Sequence, residues 1–217
     1  MFKAVNSGFK EYSTNNSGAS QICELFLNTL QSDDNFCKNI WESSLYKIFF
    51  KNGYWDFKNA KFCEHNEKAK TTIYVKNDYF KSSQTDVDLV YDKILNPIFR
   101  EKEHQKYILT WFARGLAGHY DEKTWAIGLS NRNTGKSTIT KLFLSSFGDY
   151  IGTFNAKEMV STKEIGGDVA KKLGWCIPFE FTRLNFSNEL KTTDENGNNL
   201  KLDGEVIKSI SSGGDEK

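Results

Sequence analysis

Residues 124–147 read TWAIGL SNRNTGKST ITKLFLSSF, and this stretch decides the fold. Residues 124–129 are a short apolar run of the kind that fills a buried strand. After the loop, Ile139, Leu142, Phe143 and Phe147 recur at a spacing of three and four, which predicts an amphipathic helix. Between them lie Ser130, Asn131, Arg132, Asn133, Thr134, Gly135, Lys136, Ser137 and Thr138. Strand, loop, Gly-Lys-Ser and helix in that order is the phosphate-loop arrangement. Its chemistry follows from the backbone: successive N–H groups turn inward on phosphate oxygens, and the helix aims its positive end at the same anion. Gly135 lets the main chain approach where a Cβ would intrude. Lys136 is placed to reach the β and γ phosphates as a point charge, and the Ser137 hydroxyl to bind Mg²⁺. The expected ligand is ATP with Mg²⁺.

The usual pattern carries a second glycine five residues before Gly135, and Ser130 stands there, with Gly128 the nearest upstream glycine. Either Ser130 tolerates the turn or the loop is slightly longer.

Working outward, residues 21–30 (QICELFLNTL) place Ile22, Leu25, Phe26 and Leu30 at helical spacing and predict a first helix. Residues 40–50 are apolar, Asn52-Gly53 is a turn signal, and Tyr54-Trp55-Asp56-Phe57 follows, which predicts a hairpin. Residues 71–75 (TTIYV) have the β-branched and aromatic composition of a strand. From Asp86 the period becomes helical through Leu95, Asn96-Pro97 interrupts it, and helix resumes from Glu103 to Gly115, where Gly115 and Gly118 stand as candidate helix ends. Residues 121–123 read as an exposed turn.

The composition sets limits on all this. A chain of 217 residues with 38% hydrophobic and 14% aromatic side chains is too apolar for disorder and long enough for one to two domains. With 29 Lys+Arg against 28 Asp+Glu the net charge of +1 announces no nucleic-acid or membrane partner by charge alone. Mean hydropathy is −0.57, and no run approaches the roughly 20 apolar residues of a membrane helix or the apolar core of a signal peptide. An intracellular protein is expected, without a membrane partner. Cys23, Cys37, Cys63 and Cys176 form no close pairs, so free thiols are expected rather than a metal centre.

These motifs together resemble the helicase part of the poxvirus-type primase-helicases, the superfamily 3 helicases of large DNA viruses and some phages. The likeness rests on the loop, on residues 50–57 (FKNGYWDF), on residues 107–120 (YILTWFARGLAGHY) entering the expected strand, and on Phe147-Gly148-Asp149-Tyr150 closing the helix. It also includes residues 202–208 with Gly213-Gly214-Asp215, and covers the chain from about residue 40 onward. The resemblance implies an α/β P-loop NTPase fold with an AAA+-like superfamily 3 core, incomplete at the C-terminus. Three parts are expected: a mixed α+β accessory domain (1–85), a helical connector (86–121) and the N-terminal part of the ATPase (122–217).

A P-loop ATPase needs a strand ending in a carboxylate beside the loop to hold the Mg²⁺ shell and polarise the attacking water. Residues 175–180 (WCIPFE) end in Glu180 but contain Pro178, which removes a ladder hydrogen bond from a central strand. Residues 183–190 (RLNFSNEL) have no proline and resemble the family's strand, so Glu189 is preferred and Glu180 is the alternative. Lys208 is a candidate DNA-facing charge, although a lone exposed lysine is ordinarily solvated surface.

The implied activity is that of an ATP-dependent DNA helicase in viral replication, moving on single-stranded DNA as a homo-oligomer, a hexameric ring in the complete motor. The implied place is the host cytoplasm or a viral replication site. Sensor and arginine-finger motifs of that family lie beyond the position matching Lys217. An ATP-binding assembly module without turnover is therefore the alternative. A small-molecule kinase is disfavoured because no Arg-rich lid follows the loop.

Overall fold

The structure is a computed structural model and describes residues 16–29, 35–119, 123–129, 131, 133–161, 172–187, 190, 193, 197 and 199–212. The chain divides into two compact units, Met1–Asn39 and Ile40–Lys217. The described part of the first unit holds helix α1 (Asn16–Thr29), on which Leu25, Phe26 and Leu27 are exposed. Helix α2 (Phe36–Ser44) crosses the boundary and buries Ile40 and Ser44 in the second unit.

The second unit opens with the expected hairpin. Strands β1 (Lys47–Phe50) and β2 (Gly53–Asp56) are antiparallel, with Phe50 opposite Gly53 and Ile48 opposite Trp55, and β3 (Lys61–Cys63) adds to the far side of β2. Local chemistry explains both turns. The Asn52 side chain exchanges two hydrogen bonds with the Tyr79 backbone, at 2.9 and 2.8 Å. Asp56 accepts from the Lys58 and Asn59 backbone N–H groups and from the Asn59 amide. The polar residues of the 50–57 signature thus hold turns in place.

Residues 71–75 differ from expectation, forming no strand but one parallel bridge between Phe50 and Val75, closed by the Val75 N–H on the Phe49 carbonyl at 2.8 Å. Buried Val75 packs with Ile48 and Tyr150 in a small core.

Helix α3 (Gln84–Val90) starts in a complete capping box between Ser83 and Asp86. It widens into a π turn, Tyr91–Leu95, closed by the Asn96 N–H on the Tyr91 carbonyl, and ends in the short helical turn Asn96–Ile98. Pro97 has no N–H to give and its ring opposes the preceding turn, so a local departure from α geometry at Asn96-Pro97 is the expected response. Helix α4 (Lys102–Ala117) terminates at Gly118 in the left-handed conformation, φ 86°. Gly115 does not end it: a Cβ there would lie 2.5 Å from Leu184 Cδ2, so this glycine allows α4 to approach a strand closely.

Helix α5 (Lys136–Phe147) follows the loop as expected and closes at Gly148. Strand β4 (Ile151–Phe154) comes next and pairs in parallel with β5 (Leu184–Ser187), Ile151 opposite Leu184 and Phe154 opposite Ser187. The main core lies between this pair and the helices: Leu95, Leu116, Ile139, Phe143, Ile151 and Leu184 are buried together. Helix α6 (Gly204–Ser212) ends the described chain. The unit is mixed α/β with small sheets. The boundaries expected at 85/86 and 121/122 both fall inside it.

Candidate functional site

The Gly-Lys-Ser turn is built by the start of α5. Gly135 is the N-cap, in the left-handed region with φ 91° and ψ 5°, and Asn133 also has positive φ, 59°. Two such residues, one on each side of Thr134, fold the loop back sharply, a conformation that costs least for glycine and asparagine. Gly135 offers no side-chain cap, and the first N–H groups of a helix have no acceptor within it. This is an anion-attracting end on a helix of 12 residues.

Within the loop two side chains converge on one oxygen. The Lys136 ammonium and the Thr134 hydroxyl both donate to the Asn131 carbonyl, each at 3.0 Å. Lys136, Ser137 and Thr138 are exposed, whereas Ile139 and Phe143 on the same helix are buried in the main core. The apolar face therefore anchors the helix and leaves its first turn facing solvent. On the other side, the Cβ that Gly135 lacks would run into Ile98, meeting Cγ1 and lying 2.7 Å from Cδ1.

The expectation of a buried strand before the loop is overturned. Residues 123–129 are irregular, and Trp125, Ile127 and Leu129 are 45%, 59% and 89% exposed. A strand is stabilised by ladder neighbours rather than by composition, and no described strand pairs with this segment. The two parallel strands are β4 and β5.

Of the two candidate carboxylate segments, the one with the proline forms no strand. Residues Gly174–Phe179 form a 3₁₀ helix containing Pro178, and Glu180 follows its end in an exposed turn, on no strand. By contrast, residues 184–187 are the strand β5. Glu189 lies outside the described residues, as do Ser130 and Arg132. Lys208 is exposed on α6.

Two residues just before β4 and β5 tie these strands to earlier elements, Tyr150 to β1 and Arg183 to α2. Tyr150, 1% exposed, accepts from the Phe49 N–H at 3.0 Å and donates to the Ile73 carbonyl at 3.1 Å. Burial pushes its phenol pKa up. Arg183 donates its backbone N–H to the Tyr150 carbonyl at 2.7 Å and its guanidinium to the Ser44 carbonyl and hydroxyl at 2.9 and 3.1 Å. Burial lowers the guanidinium pKa, and Nε is buried without an acceptor among the described residues. Both contacts join residues far apart in sequence, so no local signal foretold them. Among the described residues, no group of three or more His, Cys, Asp or Glu is placed to hold a metal ion, and no helix is long and apolar enough to cross a membrane.

No protein-family profile matches the sequence. The chain is similar to "Putative helicase V13" of the Sputnik virophage, 26% identical over 214 residues. That alignment takes in 97% of this chain and 26% of the virophage protein, so the chain spans about a quarter of the relative's length. The likeness supports a relationship to a viral helicase-like protein.

Proposed function

We propose that this chain contributes the phosphate-binding part of a helicase-type ATPase, one that couples ATP hydrolysis to movement on single-stranded DNA in viral replication, as a ring of identical subunits. The observation that carries this reading is the Gly135-Lys136-Ser137 turn, left-handed at the glycine and opening a helix whose far face is locked into the core. The likeness to a virophage protein named as a helicase supports it independently.

The residues present suit a Mg²⁺-bound triphosphate. Lys136 supplies a positive charge, Ser137 an exposed hydroxyl, and the start of α5 a set of N–H groups. Lys136 already donates to a carbonyl oxygen; exchanging that neutral acceptor for phosphate oxygens would give shorter, charge-assisted bonds. Bound at Ser137, Mg²⁺ would supply Lewis-acid stabilisation of charge on the phosphate oxygens. Glu189, which follows the β5 segment in the sequence, is the proposed carboxylate that orients the attacking water. Lys208 is proposed as a DNA-facing charge.

The test is a titration with a fluorescent ATP analogue, with and without Mg²⁺, alongside phosphate release with and without single-stranded DNA. The wild-type chain is expected to bind in a Mg²⁺-dependent way. Lys136→Ala is expected to weaken binding at least about tenfold, the loss of roughly 1.4 kcal/mol from a charged contact. Glu189→Gln should bind and fail to hydrolyse. Equal binding by wild type and Lys136→Ala would reject the phosphate site.

A further inference from the structure

The phosphate loop leans on a residue far upstream. Ile98 closes the short helical turn after the π segment, and its side chain occupies the space into which a Cβ on Gly135 would project. Gly135 is thus constrained twice, by φ of 91° and by a wall of aliphatic carbon. Only a residue without a side chain can press its backbone against that wall.

The wall itself is fixed. Leu95 is 5% exposed in the main core, and Ile98 packs on the same cluster. Asn96 between them accepts from the Lys102 ammonium at 2.6 Å and the Gln105 amide at 3.1 Å, and donates to Asp92 at 3.1 Å. Gln105 is 4% exposed, so this clamp joins the Asn96–Ile98 turn to the first turns of α4. An aliphatic residue held by a polar clamp and a core is a rigid seat, and rigid support is what an anion site needs, because its N–H groups bind only when aimed.

We propose that Ile98 is a positioning residue for the phosphate loop. By seating Gly135 it sets the placement of the Lys136 ammonium and of the first N–H groups of α5. This rests on the nucleotide reading above. The wall atom nearest to a Cβ on Gly135 would be Cγ1, then Cδ1, with Cβ 3.5 Å away; valine keeps a carbon at the Cγ1 position, whereas leucine puts its branch on that carbon, against the loop.

Shape and filling make opposite predictions for two mild variants, both expected to fold. Ile98→Val keeps the branch and loses one methylene; Ile98→Leu keeps the volume and moves the branch outward. If Ile98 only filled space, Leu would behave like wild type and Val would be the more perturbed, since volume-conserving swaps are tolerated best. If Ile98 positions the loop, Val should bind the fluorescent ATP analogue with Mg²⁺ within about twofold of wild type. Leu should bind about tenfold more weakly, still short of the roughly hundredfold that a 1 Å misplacement at a reacting centre can cost. Thermal melts should show both variants folded. In a double-mutant cycle, Gly135→Ala with Ile98→Ala should bind more tightly than the product of the two single losses, because the second change removes the obstacle to the first.

Equal binding by Leu and wild type, or strictly multiplicative losses in the cycle, overturns the positioning role. If wild type binds no nucleotide, or binds it no better than Lys136→Ala, the nucleotide reading fails and this one with it. Wild-type binding that is lost in Lys136→Ala and unchanged in Ile98→Leu overturns the positioning role alone.

Discussion

Asp203 shows how one carboxylate is tied to helix stability. Its Oδ1 accepts from the backbone N–H groups of Glu205 and Val206 at 3.0 and 3.2 Å, and its Oδ2 takes the Lys172 ammonium at 3.2 Å. It is the N-cap of α6, and the N–H bond from Val206 leads in holding its carboxyl below the usual carboxylate range, with Lys172 adding to it. A depressed carboxyl pKa stabilises the fold at pH values above the unfolded pKa, and that stability is lost as acid protonates the group. Asp203→Ala should therefore lower the melting temperature at pH 7 by the equivalent of about 1 kcal/mol. The difference from wild type should shrink as pH falls below about 4; an equal difference at pH 3 and pH 7 would reject the charge assignment. Gly115 poses a contest of magnitudes. Alanine there gains about 1 kcal/mol of helix propensity, but its Cβ would lie 2.5 Å from Leu184, and overpacking costs about 1–3 kcal/mol. Gly115→Ala should destabilise, and Gly115→Ala with Leu184→Ala should recover the part due to collision, as chemical denaturation of the pair would show.

Elements were legible in the sequence where their causes are local. The β1–β2 hairpin is written in Asn52-Gly53, because the turn chemistry and its flanking alternation lie within a few residues. Helix α5 is written in its apolar period, and its start in Gly135. The strands were harder. Residues 124–129 have a strand's composition and no described partner, while β4 follows the 3₁₀ turn Gly148–Tyr150 and went unrecognised although Ile151, Thr153 and Phe154 suit a strand. Pairing is a long-range property, so composition alone ranked these two segments in the wrong order. The same holds at the start of α5: the turn at Gly135 was legible, whereas the approach of Ile98 was not, because a neighbour from across the fold leaves no spacing to read. Tyr150 is the clearest case at this scale. Its hydroxyl serves the Phe49 N–H and the Ile73 carbonyl at once, holding the edge of β1 on which no described strand pairs. Tyr150→Phe would leave a buried N–H without its acceptor, which costs about 1–3 kcal/mol. The urea midpoint should fall with an unchanged slope, and the Phe49 amide should exchange faster with solvent. Unaltered exchange at Phe49 would show that the bond contributes nothing.

At the scale of the molecule, the question is which parts fold together. Every buried hydrophobic side chain among the described residues lies at or after Ile40. Inside the unit, hydrogen bonds cross both sequence-expected boundaries. Tyr46 N–H reaches the Ala117 carbonyl at 3.0 Å, Phe49 N–H the Tyr150 hydroxyl at 3.0 Å, and the Arg183 guanidinium the Ser44 carbonyl at 2.9 Å. A fragment starting at residue 122 would strip Arg183 and Tyr150 of these partners. It would also remove Leu95 and Leu116 from the main core, leaving Ile139, Phe143, Ile151 and Leu184 facing water. Deleting two buried leucine side chains from a core costs several kcal/mol, comparable to the whole stability of a small domain. The 122–217 fragment is therefore expected to show no cooperative thermal transition by circular dichroism. A fragment of residues 35–217, which keeps α2 whole, should melt cooperatively within a few degrees of the 217-residue chain and bind Mg²⁺-ATP with the same affinity. A cooperative melt by 122–217 would show that the hairpin and connector are dispensable for the fold, and would remove the physical basis for seating the phosphate loop on Ile98.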